Sequence, residues 1–266
     1  MAINTSKAQC IFQQPSRCGR ITVLENAKFR WLEFGDGIVQ SAYCRANPNT
    51  LVLDYTQWML SALLLLKQRP RLALLLGLGG GSLVQPFNAN QVPIDMVEYD
   101  PVVIEVCQRF FPTDVCESKV QNVDARDCWT HLEGAYDLAL IDLFGHGGAP
   151  AWLAAPAFYD SCRASLSDVG VLAVNLHTCD SITLEHTLSA LDRAFEGRIL
   201  TLRVPAHDNL IVLATANSAM LPNRRELHQR ATTLSADWPA PWMQISRALV
   251  AKYLARGQLT FARRYR

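Results

Sequence analysis

A cluster of glycines, Gly77-Leu78-Gly79-Gly80-Gly81-Ser82, directly follows the apolar run Leu72-Ala73-Leu74-Leu75-Leu76. Glycine weakens strands and helices alike, so a cluster at the mouth of a strand implies that something comes close. Without Cβ atoms, backbone passes tightly beneath a bound nucleoside. The next apolar run ends in Val97-Glu98-Tyr99-Asp100-Pro101. Glu98 lies about 20 residues beyond the glycines, where a carboxylate accepts hydrogen bonds from both ribose hydroxyls. Asp100 precedes Pro101, which suits the first helical position, so Asp100 reads as a helix N-cap. A pyrophosphate-binding loop places a third glycine two or three residues into the helix; here Ser82-Leu83-Val84-Gln85-Pro86 follows. That favours an adenosyl ligand without phosphates over NAD.

Two more acids end apolar runs. Asp124 is followed by Ala125. An acid there accepts from an adenine amino group while its small neighbour offers a backbone amide to the ring. Asp142 follows Tyr136-Asp137-Leu138-Ala139-Leu140-Ile141. A carboxylate at the tip of a buried strand is costly to desolvate without purpose, and it falls in the crevice where open α/β sheets bind ligands.

Positioning these residues requires strands alternating with helices. Apolar runs of strand length occur at 72–78, 94–100, 119–125, 136–143, 170–176, 198–204 and 209–215, with helices expected near 82–89, 101–110, 150–166 and 181–194. Near-continuous apolar runs fit parallel strands covered on both faces. Only Pro205–Asp208 separates the last two runs, too short for a crossover helix, so they form an antiparallel hairpin. This is an α/β chain with a Rossmann-like, seven-stranded mixed sheet, the layout of the S-adenosylmethionine-dependent methyltransferase fold. Ahead of it, Arg20 to Asp54 alternates apolar and polar residues around turn signals, which predicts a small antiparallel β domain. A helix over 55–66 follows, and helices over 222–235 and 240–255 precede a basic tail with Arg256, Arg263, Arg264 and Arg266. The expected division is 1–54 and 55–266.

Composition is consistent with this. Half the residues are hydrophobic and the net charge is +1, which argues for a globular chain and against a general nucleic-acid binder. No apolar run reaches membrane-spanning length, and Met1–Phe12 lacks the layout of a signal peptide, so a cytoplasmic protein is expected. None of the eight cysteines forms a C-x-x-C pair, which predicts reduced thiols and no metal.

From about Leu32 to Ala216 the chain resembles the spermidine synthases, or polyamine aminopropyltransferases. The resemblance rests on FGDGIVQSAY, the Tyr55 helix, LGLGGGS, VEYDP, VDA, YDLALIDLFG and PAFYDSCRASLSDVGVLAVNL in that order. It implies a homodimer with decarboxylated S-adenosylmethionine as co-substrate over Gly77, Gly79, Gly80 and Gly81. Its ribose would lie on Glu98 and its adenine on Asp124 and Ala125, with Gln40 and Tyr55 lining the cleft. It further implies a small-molecule amine held and deprotonated by Asp142. The family's glycine-loop aspartate is replaced by Gly80, the second acid after Asp142 by Leu143-Phe144-Gly145-His146, and a cleft tyrosine by His207. Aminopropyl transfer, methyl transfer from intact S-adenosylmethionine and a non-catalytic nucleoside-binding module all remain open at this point, as does the part played by His146 and His207.

Overall fold

The computed structural model describes residues 5–113, 120–132, 135–179, 181–217 and 222–255. The basic tail and Cys116 lie outside them, and the seven described cysteines are free thiols. No helix among the described residues is long and apolar enough to cross a membrane.

Five strands, β1 (Gln9–Ser16), β2 (Gly19–Glu25), β3 (Phe29–Glu33), β4 (Val39–Cys44) and β5 (Asn47–Leu51), form an antiparallel meander in chain order. The sequence signals began at Arg20, so β1 is an addition. It is an edge strand, largely exposed, and carries Pro15. Such a strand buries too little to print an alternating pattern. α1 (Asp54–Met59) then tightens into a 3-10 helix over Leu60–Leu64, whose five residues are all buried.

The second sheet has seven strands: β6 (Ala73–Leu76), β7 (Ile94–Val97), β8 (Val120–Gln121), β9 (Tyr136–Ile141), β10 (Leu166–His177), β11 (Ile199–Arg203) and β12 (Asn209–Thr215). Their order is β11-β12-β10-β9-β6-β7-β8. Pairing is parallel from β10 through β9, β6 and β7 to β8, while β12 runs antiparallel to both β10 and β11. The expected terminal hairpin is therefore present. The third strand is shorter than 119–125 suggested, and Asp124 and Ala125 sit beyond its end.

The intervening helices are α2 (Val84–Ala89), α3 (Pro101–Phe110), α4 (Pro156–Ser165) and α5 (Ser181–Ala194), followed by α6 (Arg224–Leu234) and α7 (Trp242–Ala255). The helix expected over 150–166 divides at Pro156 into a short 3-10 turn and α4. In β6, Ala73 and Leu75 belong to the core under the 60–64 turn, α6 and α7, whereas Leu74 and Leu76 belong to the core under α4 and α5. Burial on both faces explains why the run reads as unbroken apolar sequence.

α3 joins the two sheets. Val103 and Val106 pack with Ile21, Val23 and Leu32 of the meander. Asp100, fully buried, caps α3 by accepting from the Val102 N–H at 2.9 Å, and its second oxygen accepts from the Cys18 N–H at 2.9 Å. Replacing it by alanine leaves the Val102 N–H uncapped and the Cys18 N–H with the Ser16 hydroxyl alone. Asp100→Ala is expected to lower unfolding free energy by about 2–4 kcal/mol in urea titrations, and Asp100→Asn by clearly less because the cap survives.

Candidate active site

Where β6 meets β9 the direction of strand succession reverses, and ligands of open α/β sheets bind at such points. Leu76 pairs with Ile141, so the next residues, Gly77 and Asp142, leave the sheet side by side, and the Asp142 N–H donates to the Leu76 carbonyl at 2.9 Å. A Cβ on Gly77 would run into the Asp142 carbonyl oxygen, and its φ of +93° suits only glycine. Gly79 also has positive φ (+52°), and a Cβ there would meet the Ser41 hydroxyl. The loop is thus moulded to its protein neighbours as well as to a cleft. Gly77 and Gly79 border that cleft. Gly80 and Gly81 lie behind it: added Cβ atoms would press on the Phe111 ring and on Thr113 respectively. The aspartate that the family resemblance would place at position 80 therefore has no room here.

The cleft is about 660 Å³. On one wall Glu98, 8% exposed, accepts from the Leu78 N–H and the Asp100 N–H, both at 2.9 Å. Burial raises its pKa against the pull of those hydrogen bonds. Each carboxylate oxygen keeps a lone pair beyond its backbone donor. Further along, Asp124 and Ala125 line the same cleft. Both Asp124 oxygens accept from the Arg126 guanidinium, at 3.0 and 2.9 Å, which holds the carboxyl below its usual range and so ionised. Arg126 also lies over the Trp152 ring at 5.5 Å. The turn between β1 and β2 roofs the cleft: Arg17 sits over Tyr99, and the Cys18 carbonyl accepts from the His146 N–H.

A second cleft of about 720 Å³ shares the Gln40 and Tyr55 wall with the first. Asp142, half-buried, lines the first, and its hydrogen-bond partners Tyr55 and Asn175 line the second. Its Oδ2 accepts from the Tyr55 hydroxyl at 3.1 Å and its Oδ1 from Asn175 Nδ2 at 2.9 Å. Burial pushes its pKa up to about 6, against both hydrogen bonds, which favour the ionised form. Tyr55 is raised in turn, by burial first and then by the negative charge of Asp142. Asn175 accepts from Asn209 at 3.0 Å. His207 lines the second cleft rather than the first, with Nε2 at 3.1 Å from Asp54 Oδ2. His146 borders both.

Gln40, Tyr55, Gly77, Gly79, Glu98, Asp124, Ala125 and Asp142 thus converge on one cavity, Gly80 and Gly81 do not reach it, and His207 lies next door. Ser41, Asn175, Asn209, Asp54 and the β1–β2 turn escaped sequence reasoning. Asn175 had left a signal, a polar residue inside the apolar run Val171-Leu172-Ala173-Val174 onward.

Holding Asp142 in this place has a cost that depends on pH. Its folded pKa, about 6, exceeds the unfolded aspartate value, so the unfolded chain gives up its proton first as pH rises. Stability is therefore full below about pH 4 and falls as pH climbs through about 6. Asp142→Asn is expected to stabilise the fold by about 2 kcal/mol at pH 8, and by little at pH 4, in paired thermal or urea unfolding.

No family model matches the chain. Among curated proteins it is 30% identical over 238 residues to a polyamine aminopropyltransferase of Vibrio vulnificus, covering 85% of this chain and 78% of that one. It is 29% identical over 219 residues to that of Chromobacterium violaceum, covering 80% and 83%. Its fold is shared with spermidine synthase solved in complex with the transition-state analogue AdoDATO, at TM-score 0.70 and 15% identity over 92% of this chain and 84% of that one. Human methyltransferase-like protein 13, solved with SAH, superposes at TM-score 0.63 with 23% identity over 71% of this chain and 94% of that one. The relatedness along nearly the full length, on this mixed sheet behind this five-stranded meander, makes the chain a member of the polyamine aminopropyltransferase family.

Proposed function

We propose that the protein is an aminopropyltransferase that moves the aminopropyl group of decarboxylated S-adenosylmethionine to a small amine such as putrescine. The observation that carries this reading is Asp142, a half-buried carboxylate with a pKa near 6 that lines the first cleft and is hydrogen-bonded to Tyr55 and Asn175 of the second. Decarboxylated S-adenosylmethionine supplies a sulfonium whose neighbouring carbon is open to displacement. Glu98 offers lone pairs to the ribose hydroxyls, and ionised Asp124 offers them to the adenine amino group. Gly77 and Gly79 let the backbone pass beneath the nucleoside. The second cleft receives the acceptor, with Tyr55 and Gln40 between the two.

A primary ammonium has a pKa near 10 and must lose a proton before its nitrogen attacks. At pH 7 a carboxyl with pKa near 6 is mostly ionised, so Asp142 both draws the cation in and accepts its proton. No covalent enzyme intermediate is needed, and holding the two reactants in line supplies much of the rate. The same reading divides the chain at residue 54 into a β domain and an adenosyl-binding domain. It also gives a cytoplasmic homodimer that needs neither metal nor nucleic acid.

Calorimetric titration with decarboxylated S-adenosylmethionine, S-adenosylmethionine and methylthioadenosine side by side is the first test. Preference for the decarboxylated form is expected, together with methylthioadenosine release when putrescine is added. Preference for the carboxylated form would move the assignment to methyl transfer, and binding of all three without turnover would make the protein a nucleoside-binding module. Asp142→Asn is expected to lower kcat by about 10²–10⁴-fold while methylthioadenosine affinity stays within about twofold. Transfer at the wild-type rate would remove Asp142 as the base. Gly79→Val is expected to abolish nucleoside binding, because a branched side chain at a positive φ displaces backbone that borders the cleft; unchanged affinity would place the nucleoside elsewhere.

A further inference from the structure

The two oxygens of Asp142 have different surroundings. Oδ1 accepts from Asn175 Nδ2. Asn175 is 2% exposed on β10, and its own oxygen accepts from Asn209 Nδ2, on the antiparallel neighbour β12. The amide of Asn175 is thereby oriented from both ends: a donor faces the carboxylate and an acceptor faces Asn209. On the other side, the Tyr55 hydroxyl lies 3.1 Å from Asp142 Oδ2 and 3.1 Å from the Gln40 carbonyl oxygen. A hydroxyl has one proton, and an ionised Asp142 leaves two acceptors competing for it. Once Oδ2 is protonated the arrangement closes. Asp142 donates to the Tyr55 oxygen, and Tyr55 donates to Gln40, with no heavy atom moving.

We propose that Asn175, held by Asn209, is a positioning residue that keeps Oδ1 of Asp142 an acceptor throughout and directs the amine's proton to Oδ2, where Tyr55 receives it by turning its hydroxyl to the Gln40 carbonyl. The assignment rests on the aminopropyltransferase reading. In that step the ammonium N–H bond breaks, its electron pair stays on nitrogen and the proton bonds to Oδ2. The nitrogen then forms a bond to the carbon beside sulfur, the C–S bond breaks, and its pair leaves on sulfur as a neutral thioether. Tyr55 is the titratable group in contact with Asp142. Around it stand Glu98 beyond β7, His146 in the loop after β9, His177 on β10 and the Asp54–His207 pair. Asp142 forms no ion pair among the described residues.

The test is Asn175→Asp, which is isosteric, keeps the acceptor for Asn209 and turns the donor facing Asp142 into a second carboxylate. Two carboxylates at that separation share a proton, so the pair's upper titration must rise. The acid limb of kcat/KM is expected to move up by at least about one pH unit, costing about twofold at pH 7 and roughly tenfold at pH 5, and recovering at higher pH. The KM for the aminopropyl donor is expected to stay put. Asn209→Asp, which makes the Asn175 amide turn its oxygen toward Asp142, is expected to shift the limb the same way by less. A loss of activity equal at all pH values in both variants would reduce the two asparagines to scaffolding and overturn the proposal.

A readout free of turnover separates this from the functional reading. With methylthioadenosine bound, ¹³C resonances of the Asp142 carboxyl are titrated in wild type and in both variants. A raised midpoint is expected in each variant, and midpoints within about 0.3 unit of wild type would sink the positioning role. A raised midpoint in a chain that transfers nothing would keep Asn175 in its place and retire the aminopropyl reading alone.

Discussion

The parallel pairing of β6 with β9 is the constraint on which the rest of this molecule depends. Because Leu76 stands opposite Ile141, the chain must leave the sheet at Gly77 and Asp142 together, at one level and in contact. That contact leaves no volume for a side chain at position 77 and sets where the carboxyl of Asp142 can point. Each strand is buried on both faces, so the register is held by apolar packing that cannot slip by one residue without exposing alternate side chains to the wrong core. A rigid sheet thus fixes an expensive group where solvent is scarce.

The meander completes what the large sheet begins. Ser41 on β4 accepts from the Gly80 N–H, the turn after β1 reaches the loop after β9, and Asp100 ties that turn to the first residues of α3. One buried aspartate therefore serves as helix cap and as tether between sheets. Glu98, two residues earlier, accepts from the Asp100 N–H, so a carboxylate of the cleft wall is oriented by the same short segment. The spacing Glu98-x-Asp100-Pro101 carries a strand end, a tether and a helix start at once.

What the sequence made legible follows from where burial leaves a mark. The strands of the large sheet and the terminal hairpin could be read because doubly covered strands are continuously apolar and a four-residue connection cannot hold a crossover helix. Asp142 stood out as an acid after a run of buried residues. β1 was silent because an exposed edge strand obeys no alternation. The glycines misled in part: Gly77 and Gly79 face the cleft, whereas Gly80 and Gly81 owe their small size to Phe111 and Thr113, and a one-dimensional string does not separate these causes. Asp54 and His207 meet across 153 positions, which no local pattern encodes. Asn175 was visible by the same criterion as Asp142, a polar residue among apolar neighbours, and shows that the criterion applies to amides as well as acids.

Within the aminopropyltransferase reading, the loss of the family's acids at positions 80 and after Asp142 alters the energetics of the amine rather than the chemistry. A carboxyl with pKa near 6 is a weak base toward an ammonium with pKa near 10, and outright proton transfer in water would be uphill by about 5 kcal/mol. The approach of the cation widens that gap in the bound pair, because each charge stabilises the ionised form of the other. The neutral amine is therefore a minor species of the bound pair, and its capture by N–C bond formation is what draws the proton transfer forward. That proton transfer needs Oδ2 to be free of other donors, and the Tyr55 hydroxyl can meet that need because the Gln40 carbonyl stands ready at the same distance. With fewer carboxylates to share a polycation, more of the rate must come from geometry, and the asparagine pair behind Asp142 is the geometry available.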